Sequence, residues 1–316
     1  MPKTPVLPAD DRAIRRAGTL LAGGGLVAFP TETVYGLGAN ARDGTAVARV
    51  FEAKGRPSFN PLIVHVSRVE EAMEIAEWSG DANAFSRLWP GPLTLVLPLR
   101  DGHGLSPLVT AGLNSVALRV PNHPVAQKLL RAAEVPVAAP SANPSGRLSP
   151  TRAAHVAELL DGRADLIIDG GPTRLGVEST IVSLLDDAQL LRPGGAAREM
   201  LEAALGRPLG RAQEAPTGEA PRRAPGQLTS HYAPRAALRL NAEQAAPGEM
   251  LIGFGEIAGD ESLSPTGNLL EAAARLFDVL HRLDMDGAQI AVAPIPEVGI
   301  GVAINDRLRR AAAPRD

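Results

Sequence analysis

The chain has 316 residues, 35 of them acidic and 32 basic, and its formal net charge at pH 7 is -3. This balance excludes a general polyanion-binding surface and leaves room only for a local basic patch. The absence of cysteine excludes disulfides, thiolate zinc sites and cysteine nucleophiles. No apolar run has the length of a signal peptide or a membrane span, so we expect a cytoplasmic protein.

The first two thirds of the chain alternate short apolar runs with segments of helical periodicity, which predicts an α/β layer structure. Gly23-Gly24-Gly25 predicts a turn from a helix into a strand. A helix with Val47 and Phe51 on its apolar face should end near Lys54. A further helix is predicted at 151–160. The predicted strands are 26–29, 62–66, 93–97, 116–120, 137–139, 166–168 and 180–184.

A change in composition after Leu205 predicts two domains, because residues rich in Pro, Ala and Gly without hydrophobic period are typical of a linker. We predict a large domain at 1–205, a linker at 206–235 and a small α/β domain at 236–316. The small domain should contain a helix at 269–283 and strands at 238–240, 250–253 and 290–292. Gly253 and Gly255 partly match a dinucleotide-binding loop, but a lone match of this kind is weak.

Two polar signatures stand in loops bounded by Gly or Pro. Lys54-Gly55-Arg56 places two cations on a bent, non-helical backbone, which suits a polyphosphate clamp. Ser141-Ala142-Asn143 offers a hydroxyl and an amide from a rigid turn between prolines. Taken alone, either fragment also fits an ordinary solvated loop or an Asn turn.

Several charged residues interrupt apolar strands. Arg119 lies inside 116–120, where a buried charge must be paired or face a cavity. A buried salt bridge and a fork for a substrate carboxylate are both open for this residue. Arg192 follows an apolar pair in a similar way, and His65 ends a predicted strand, where a packed imidazole is the ordinary interpretation. The six histidines show no metal-ligand spacing.

These fragments belong to one ordered set of motifs. The set comprises FPTETVYGLG at 29–38, KGR at 54–56, WPGPLT at 89–94, VALRVP at 116–121, SAN at 141–143, DGGP at 169–172, GVEST at 176–180, LRPG at 191–194 and SHYAP at 230–234. In this order and spacing it resembles the YrdC family, specifically the long form with an added C-terminal domain, the threonylcarbamoyl-AMP synthases. The resemblance implies a YrdC-like twisted open sheet with helices, a linker and a smaller Rossmann-like α/β domain.

The resemblance also implies a reaction, in which L-threonine, bicarbonate and ATP give threonylcarbamoyl-AMP and pyrophosphate for the modification of tRNA beside the anticodon. A downstream transferase would receive the product, and Mg²⁺ would enter with ATP, held mainly by phosphates. Carried over by position, the threonine-binding residues are Thr33, His65, Arg119, Ala139 and Ser179. The ATP-binding residues are Arg56, Asn60, Ser115, Ser141, Ser149, Arg192 and Tyr232. The catalytic set beside the phosphates is Lys54, Arg56, Ser141 and Asn143, without a protein metal ligand.

Two other functions are compatible with parts of the sequence, a non-catalytic RNA-binding module and a carbamoyltransferase. A non-catalytic RNA-binding module would use Arg147, Arg152 and Arg174, but no stripe of aromatic residues alternates with basic ones. A carbamoyltransferase of the hydrogenase-maturation type contains a YrdC-like region together with cysteine zinc fingers, and this chain has no cysteine. We further expect the linker with Tyr232 to act as a lid that excludes water from the site.

Overall fold

Two β-sheets organise the chain in a computed structural model that describes residues 3–57, 59–211, 231–285 and 289–314. The larger sheet is mixed and has the strand order β1-β8-β2-β3-β7-β4-β6-β5-β9-β10-β11. Its strands are β1 (Val6–Pro8), β2 (Val27–Pro30), β3 (Tyr35–Asn40), β4 (Ile63–His65), β5 (Leu93–Pro98), β6 (Ser115–Arg119), β7 (Val137–Ala138), β8 (Leu166–Asp169), β9 (Thr180–Ser183), β10 (Gln189–Arg192) and β11 (Gly210–Arg211).

Helices cover both faces of this sheet. They are α1 (Asp11–Ala22), α2 (Gly44–Lys54), α3 (Val69–Ile75), α4 (Gly80–Ser86), α5 (Pro107–Thr110), α6 (Pro124–Ala133), α7 (Ala153–Leu159) and α8 (Arg198–Leu205). Helix α2 begins at the Asp43 cap, whose carboxylate accepts from the amides of Thr45 and Ala46, and it ends at Gly55 in the left-handed conformation. The chain therefore leaves α2 in a sharp turn directly before Arg56.

The smaller sheet is entirely parallel, with the order β12-β15-β13-β14. Its elements are β12 (Leu238–Arg239), β13 (Glu249–Gly253), β14 (Glu261–Ser262), α9 (Leu269–Met285), β15 (Gln289–Val292) and α10 (Gly301–Ala312). This is the α/β architecture predicted for the second domain.

An apolar cluster joins the two parts of the molecule. Val34, Leu148 and Val177, all from the first 205 residues, pack in the same buried cluster as the inner faces of α9 and α10. A Cβ at Gly176 would lie 2.3 Å from the carbonyl oxygen of Ala273, so the loop before β9 approaches α9 as closely as backbone allows. The second domain is thus packed directly against the loops that precede β9.

The predicted strands and helices are confirmed, with ends that differ by one or two residues. Strands β1, β3, β10, β11 and β14 and several helices, α10 among them, were not predicted. The dinucleotide-loop interpretation of Gly253 is wrong, because β13 is followed by a tight turn and the parallel strand β14 rather than by a helix. A Cβ at Gly253 would lie 2.3 Å from the Ile257 carbonyl oxygen, which explains the glycine. Most of the predicted linker, 212–230, lies outside the described residues.

Over the described ranges, none of the helices combines the length and the apolar character needed to cross a lipid bilayer.

Candidate active site

One cavity collects most of the polar residues singled out in the sequence. It lies over the middle of the large sheet and reaches the start of the second domain. Its lining residues are Thr31, Thr33, Val34, Gly36, Arg56, Ile63, His65, Arg119, Ala139, Pro140, Ser141, Glu178, Ser179, Arg192, His231 and Tyr232.

The alternation of side chains along the strands explains why these residues meet. Strands β4 and β6 pair in parallel, with Ile63 opposite Ala117 and His65 opposite Arg119. Residues two apart on a strand face the same side, so Arg119 and His65 share the face of the apolar cluster formed by Ile63, Val96, Ala117 and Ile181. Val64 and Leu118 belong to the main core, on the other face. The sheet therefore presents an apolar floor with a cation and an imidazole at one end.

Arg119 is paired with a carboxylate and also lines the cavity. Its Nη2 lies 2.7 Å from Oε1 of Glu32, and its Nη1 donates to the Thr33 hydroxyl at 3.0 Å. Arg119 is 4% exposed and Glu32 only 1%. The sequence left two roles open for Arg119, a buried salt bridge or a fork for a substrate carboxylate. The structure shows the salt bridge to Glu32, and it lies at the edge of the cavity.

His65 presents a neutral imidazole to the same end of the cavity. Desolvation, together with the nearby Arg119 charge, lowers its pKa to about 3. Its buried Nδ1 has no hydrogen-bond partner in the described part of the chain. A buried polar atom without a partner is costly unless a ligand or water satisfies it, so His65 is available to a polar ligand.

Two further arginines, Arg56 and Arg192, line the cavity. Arg56 donates to the carbonyl oxygens of Asn60 and Pro61, at 3.4 and 3.1 Å. Arg192 donates to the Ser179 carbonyl at 2.8 Å and to its hydroxyl at 3.3 Å. Desolvation, opposed by Tyr232, lowers the pKa of Arg56 to about 10, and burial lowers the pKa of Arg192 as well. Two desolvated cations around one cavity favour the entry of an anion.

Lys54 supports the cavity wall from behind. As the last residue of α2, it is 2% exposed, and its ammonium donates to the carbonyl oxygens of Ser141, at 2.6 Å, and Asn143. Burial, with Arg56 nearby, lowers its pKa well below the ordinary value. The helical backbone at Lys54 corrects the expectation that both cations stand on a non-helical segment.

Asn143 and Ser141 form the loop that Lys54 holds. The Asn143 amide donates to the carbonyl oxygens of Pro144 and Arg147, at 2.9 and 2.8 Å. These bonds fix the turn and leave the Ser141 side chain at the cavity. Ala139, two residues earlier, donates its backbone N–H to the Ile63 carbonyl oxygen at 2.9 Å.

Glu178 connects the cavity to the second domain. One carboxylate oxygen accepts from the Ser149 hydroxyl at 2.5 Å, and the other lies 2.6 Å from Nε of Arg307 on α10. Burial alone would raise the pKa of Glu178, but Arg307 and Arg192 lower it below its ordinary value. The carboxylate is thus ionised and fully engaged by protein groups.

Tyr232 and His231 close the cavity where the described chain resumes. Tyr232 has φ 61° and is 1% exposed, and its ring packs against Phe277 of α9 at 5.8 Å between centroids. Burial, with the charges of Arg56 and Lys54, lowers the pKa of His231 well below its ordinary value. Tyr232 is a predicted site residue, whereas His231 was not singled out.

The cavity brings together nine of the predicted site residues, namely Thr33, Arg56, His65, Arg119, Ala139, Ser141, Ser179, Arg192 and Tyr232. The other five stand behind or beside its wall: Lys54, Asn60, Ser115, Asn143 and Ser149. Ser115 is at the amino end of β6, four residues from Arg119. Asn60, just before β4, is near that same end, since β4 and β6 run parallel.

Glu32, Glu178 and Arg307 are buried supporting residues that the sequence reasoning did not assign to the site. The first two lay within quoted motifs. Arg307 had its own signal, because it occupies the buried stripe of α10 together with Ile304 and Leu308.

Comparisons with known proteins give the same assignment over almost the whole chain. The family model described as "Telomere recombination", named for Sua5, YciO and YrdC, matches residues 19–194. The model described as "Threonylcarbamoyl-AMP synthase, C-terminal domain" matches 196–313.

Among curated relatives, the threonylcarbamoyl-AMP synthase of Bacillus subtilis is 42% identical, over 99% of this chain and 96% of its own length. The enzyme of that name from Pyrococcus abyssi is 43% identical, over 97% and 96%. The crystal structure of P. abyssi Sua5 complexed with L-threonine superposes with a TM-score of 0.86 at 39% identity, covering 99% of this chain and 97% of that one. The chain therefore belongs to the YrdC family, in its two-domain threonylcarbamoyl-AMP synthase form.

Proposed function

We infer that this protein is a threonylcarbamoyl-AMP synthase, which makes threonylcarbamoyl-AMP and pyrophosphate from L-threonine, bicarbonate and ATP. The observation that carries this function is one cavity lined by Arg56, Arg119 and Arg192, in a chain 42% identical to a synthase over nearly its full length. The three guanidinium groups can donate charge-assisted hydrogen bonds to a triphosphate and to a carboxylate in one cavity.

L-threonine would occupy the end of the cavity at Arg119. The guanidinium would hold the amino-acid carboxylate, while the Thr33 and Ser179 hydroxyls and the unpartnered Nδ1 of His65 surround the remaining polar groups. Because the low pKa of His65 keeps the imidazole neutral, this end can bind the substrate amine without repelling it.

ATP would occupy the end at Arg56 and Arg192. With a pKa of about 10, Arg56 is positively charged at neutral pH, and burial lowers the pKa of Arg192 too. An entering triphosphate would offset the electrostatic cost of desolvating these guanidinium groups. Ser141 and Tyr232 also line the cavity. Asn60, Ser149 and Asn143 would contribute from the surrounding loops, and Ser115 from the start of β6. Each charge-assisted hydrogen bond is worth about 1.5 to 3 kcal/mol.

The reaction needs positioning more than covalent help from the protein. Bicarbonate takes up a proton and loses water to give carbon dioxide. The threonine amine attacks its carbon, a nitrogen–carbon bond forms as one carbon–oxygen π bond opens, and the amine loses a proton, which gives N-carboxy-threonine. One oxygen of the new carboxylate then attacks the α-phosphorus of ATP, and the bond from that phosphorus to pyrophosphate breaks. Arg56 and Arg192 would neutralise the charge that moves onto the leaving group.

Mg²⁺ would supply further neutralisation of the phosphates. Both carboxylates beside the cavity, Glu32 and Glu178, are already paired with arginines. Within the described ranges no three acidic or histidine side chains are close enough to hold a metal ion. Phosphate oxygens and water would therefore coordinate the Mg²⁺ ion.

The product is a reactive mixed anhydride, so a transferase that modifies tRNA is the partner we propose, with both proteins in the cytoplasm. Tyr232, which lines the cavity and is 1% exposed, would help to keep water away from the intermediate.

The test is pyrophosphate release from ATP by the purified protein. We expect release only when L-threonine and bicarbonate are both present, and label from bicarbonate should appear in an adenylate. RNA binding without threonine-dependent pyrophosphate release would favour the non-catalytic alternative instead.

A further inference from the structure

Arg307 of the second domain is the largest fully buried side chain in the described ranges. Its Nε lies 2.6 Å from a Glu178 carboxylate oxygen, and its Nη2 donates to the Pro193 carbonyl oxygen at 3.0 Å. The guanidinium carbon is 5.0 Å from the centroid of the Tyr232 ring, within cation–π range. Asp306, its neighbour in sequence, accepts from Nη1.

Three of these four contacts involve or adjoin a residue proposed to bind ATP. Glu178 accepts from Ser149, Pro193 follows Arg192, and Tyr232 lines the cavity itself. None of the three contacts reaches the end of the cavity formed by His65 and Arg119. Arg307 therefore adjoins the nucleotide residues by three routes and reaches the threonine-binding set only through Ser179, which follows Glu178 and accepts from Arg192.

We propose that Arg307 is a positioning residue through which the second domain sets the geometry of the nucleotide end of the site. This inference rests on the proposed function and deepens it. A guanidinium suits this task because its planar fork donates in several fixed directions, whereas an ammonium is a point charge. Removing it leaves the Glu178 carboxylate without its strongest partner, next to the space that the phosphates would occupy, and frees the Tyr232 ring.

The experiment measures direct binding of ATP and of L-threonine by calorimetry, together with the KM for each. We expect Arg307→Gln to weaken ATP binding by about tenfold to a hundredfold, as misplacement of binding groups does, and L-threonine binding by much less. Arg307→Lys should restore part of the loss. The matched control is Arg309→Gln on the same helix, an exposed arginine paired with Glu297, which should leave both affinities unchanged.

A second variant guards against simple misfolding. In Arg307→Met combined with Glu178→Gln the ion pair is removed as a whole, so neither of its two partners stays buried without the other, and ATP binding should again be the affinity that falls. A folded Arg307→Gln protein with normal ATP affinity would overturn the inference, and so would an equal loss for both ligands. A wild-type protein that binds neither ligand would overturn the proposed function, and this inference with it.

Discussion

Nη2 of Arg119 lies 2.7 Å from Oε1 of Glu32, and both side chains are almost completely buried. Arg119 also donates to the Thr33 hydroxyl, so three groups from two strand ends are held in one arrangement. A buried charge of this kind requires its partner, since an unpaired ion in the interior costs several kcal/mol. Glu32 therefore fixes the cation that lines the cavity.

Replacing Glu32 by Ala should destabilise the protein. The expected loss is about 3 to 5 kcal/mol in the free energy of unfolding, because Arg119 would remain buried without its carboxylate. Urea unfolding monitored by circular dichroism measures this change. Glu134→Ala, at the exposed end of α6, is a suitable control. An unchanged unfolding free energy would contradict the assigned pairing.

Arg119→Ala should raise the KM for L-threonine more than the KM for ATP, because we propose that this guanidinium holds the threonine carboxylate. Initial rates of pyrophosphate release, with each substrate varied in turn, give both constants. Equal increases in the two constants would instead make Arg119 a structural residue.

Lys54→Met should reduce both stability and turnover. Two carbonyl oxygens, those of Ser141 and Asn143, would lose their donor, at a cost of about 1 to 3 kcal/mol. The loop that carries Ser141 would then be less well fixed. Lys128→Met is the control, since this exposed lysine pairs only with Asp11 among the described salt bridges. Lost turnover at unchanged stability would place the Lys54 ammonium on the phosphates instead.

Gly194→Ala should destabilise the protein by about 1 to 3 kcal/mol. A Cβ there would lie 2.4 Å from the Glu178 carbonyl oxygen, and backbone atoms cannot yield as a flexible side chain can. Gly80→Ala is the matched control, because no atom lies within 4 Å of its Cβ position. That change should be neutral or stabilise by up to about 1 kcal/mol. Similar melting temperatures for both variants would argue against this close approach.

Acid should weaken the contact between the domains. The rings of His155 and His281 stack at 4.0 Å, with Asp278, Arg152 and Arg282 around them. Desolvation lowers the pKa of both, that of His155 to about 4. In the unfolded chain a histidine has a pKa of about 6.5. Between about pH 4 and about pH 6.5 the unfolded chain therefore binds more protons than the folded chain. Stability should be complete above about pH 6.5 and decline as the pH falls toward about 4.

Urea unfolding at about pH 7.5 and about pH 5 tests this dependence. His155→Phe keeps a stacking ring without a titrating nitrogen, and it should lose less stability on acidification than the wild type. His103→Gln, on the loop after β5, is the control. A variant that loses as much stability as the wild type would remove His155 from the explanation.

The sequence predicted the main strands, the helix that ends at Lys54 and most of the cavity-lining residues. The strand and helix predictions succeeded because strand alternation and Gly or Pro turns are local properties, whereas the cavity-lining residues were carried over by position from the resemblance to the YrdC family. Pairings across the fold are not local. Arg307 and Glu178 are 129 residues apart, so the sequence around one residue does not predict its pairing with the other. The acceptors of Lys54 are backbone carbonyls, which every residue possesses, and its anchoring role was therefore invisible in the residue pattern.

The apolar cluster shared by Val34, Leu148, Val177 and helices α9 and α10 has a thermodynamic consequence. If either domain unfolds, apolar side chains of the other domain that belong to this cluster become exposed to water. Differential scanning calorimetry should accordingly record a single endotherm, with matching calorimetric and van't Hoff enthalpies, from a chain assembled out of two sheets.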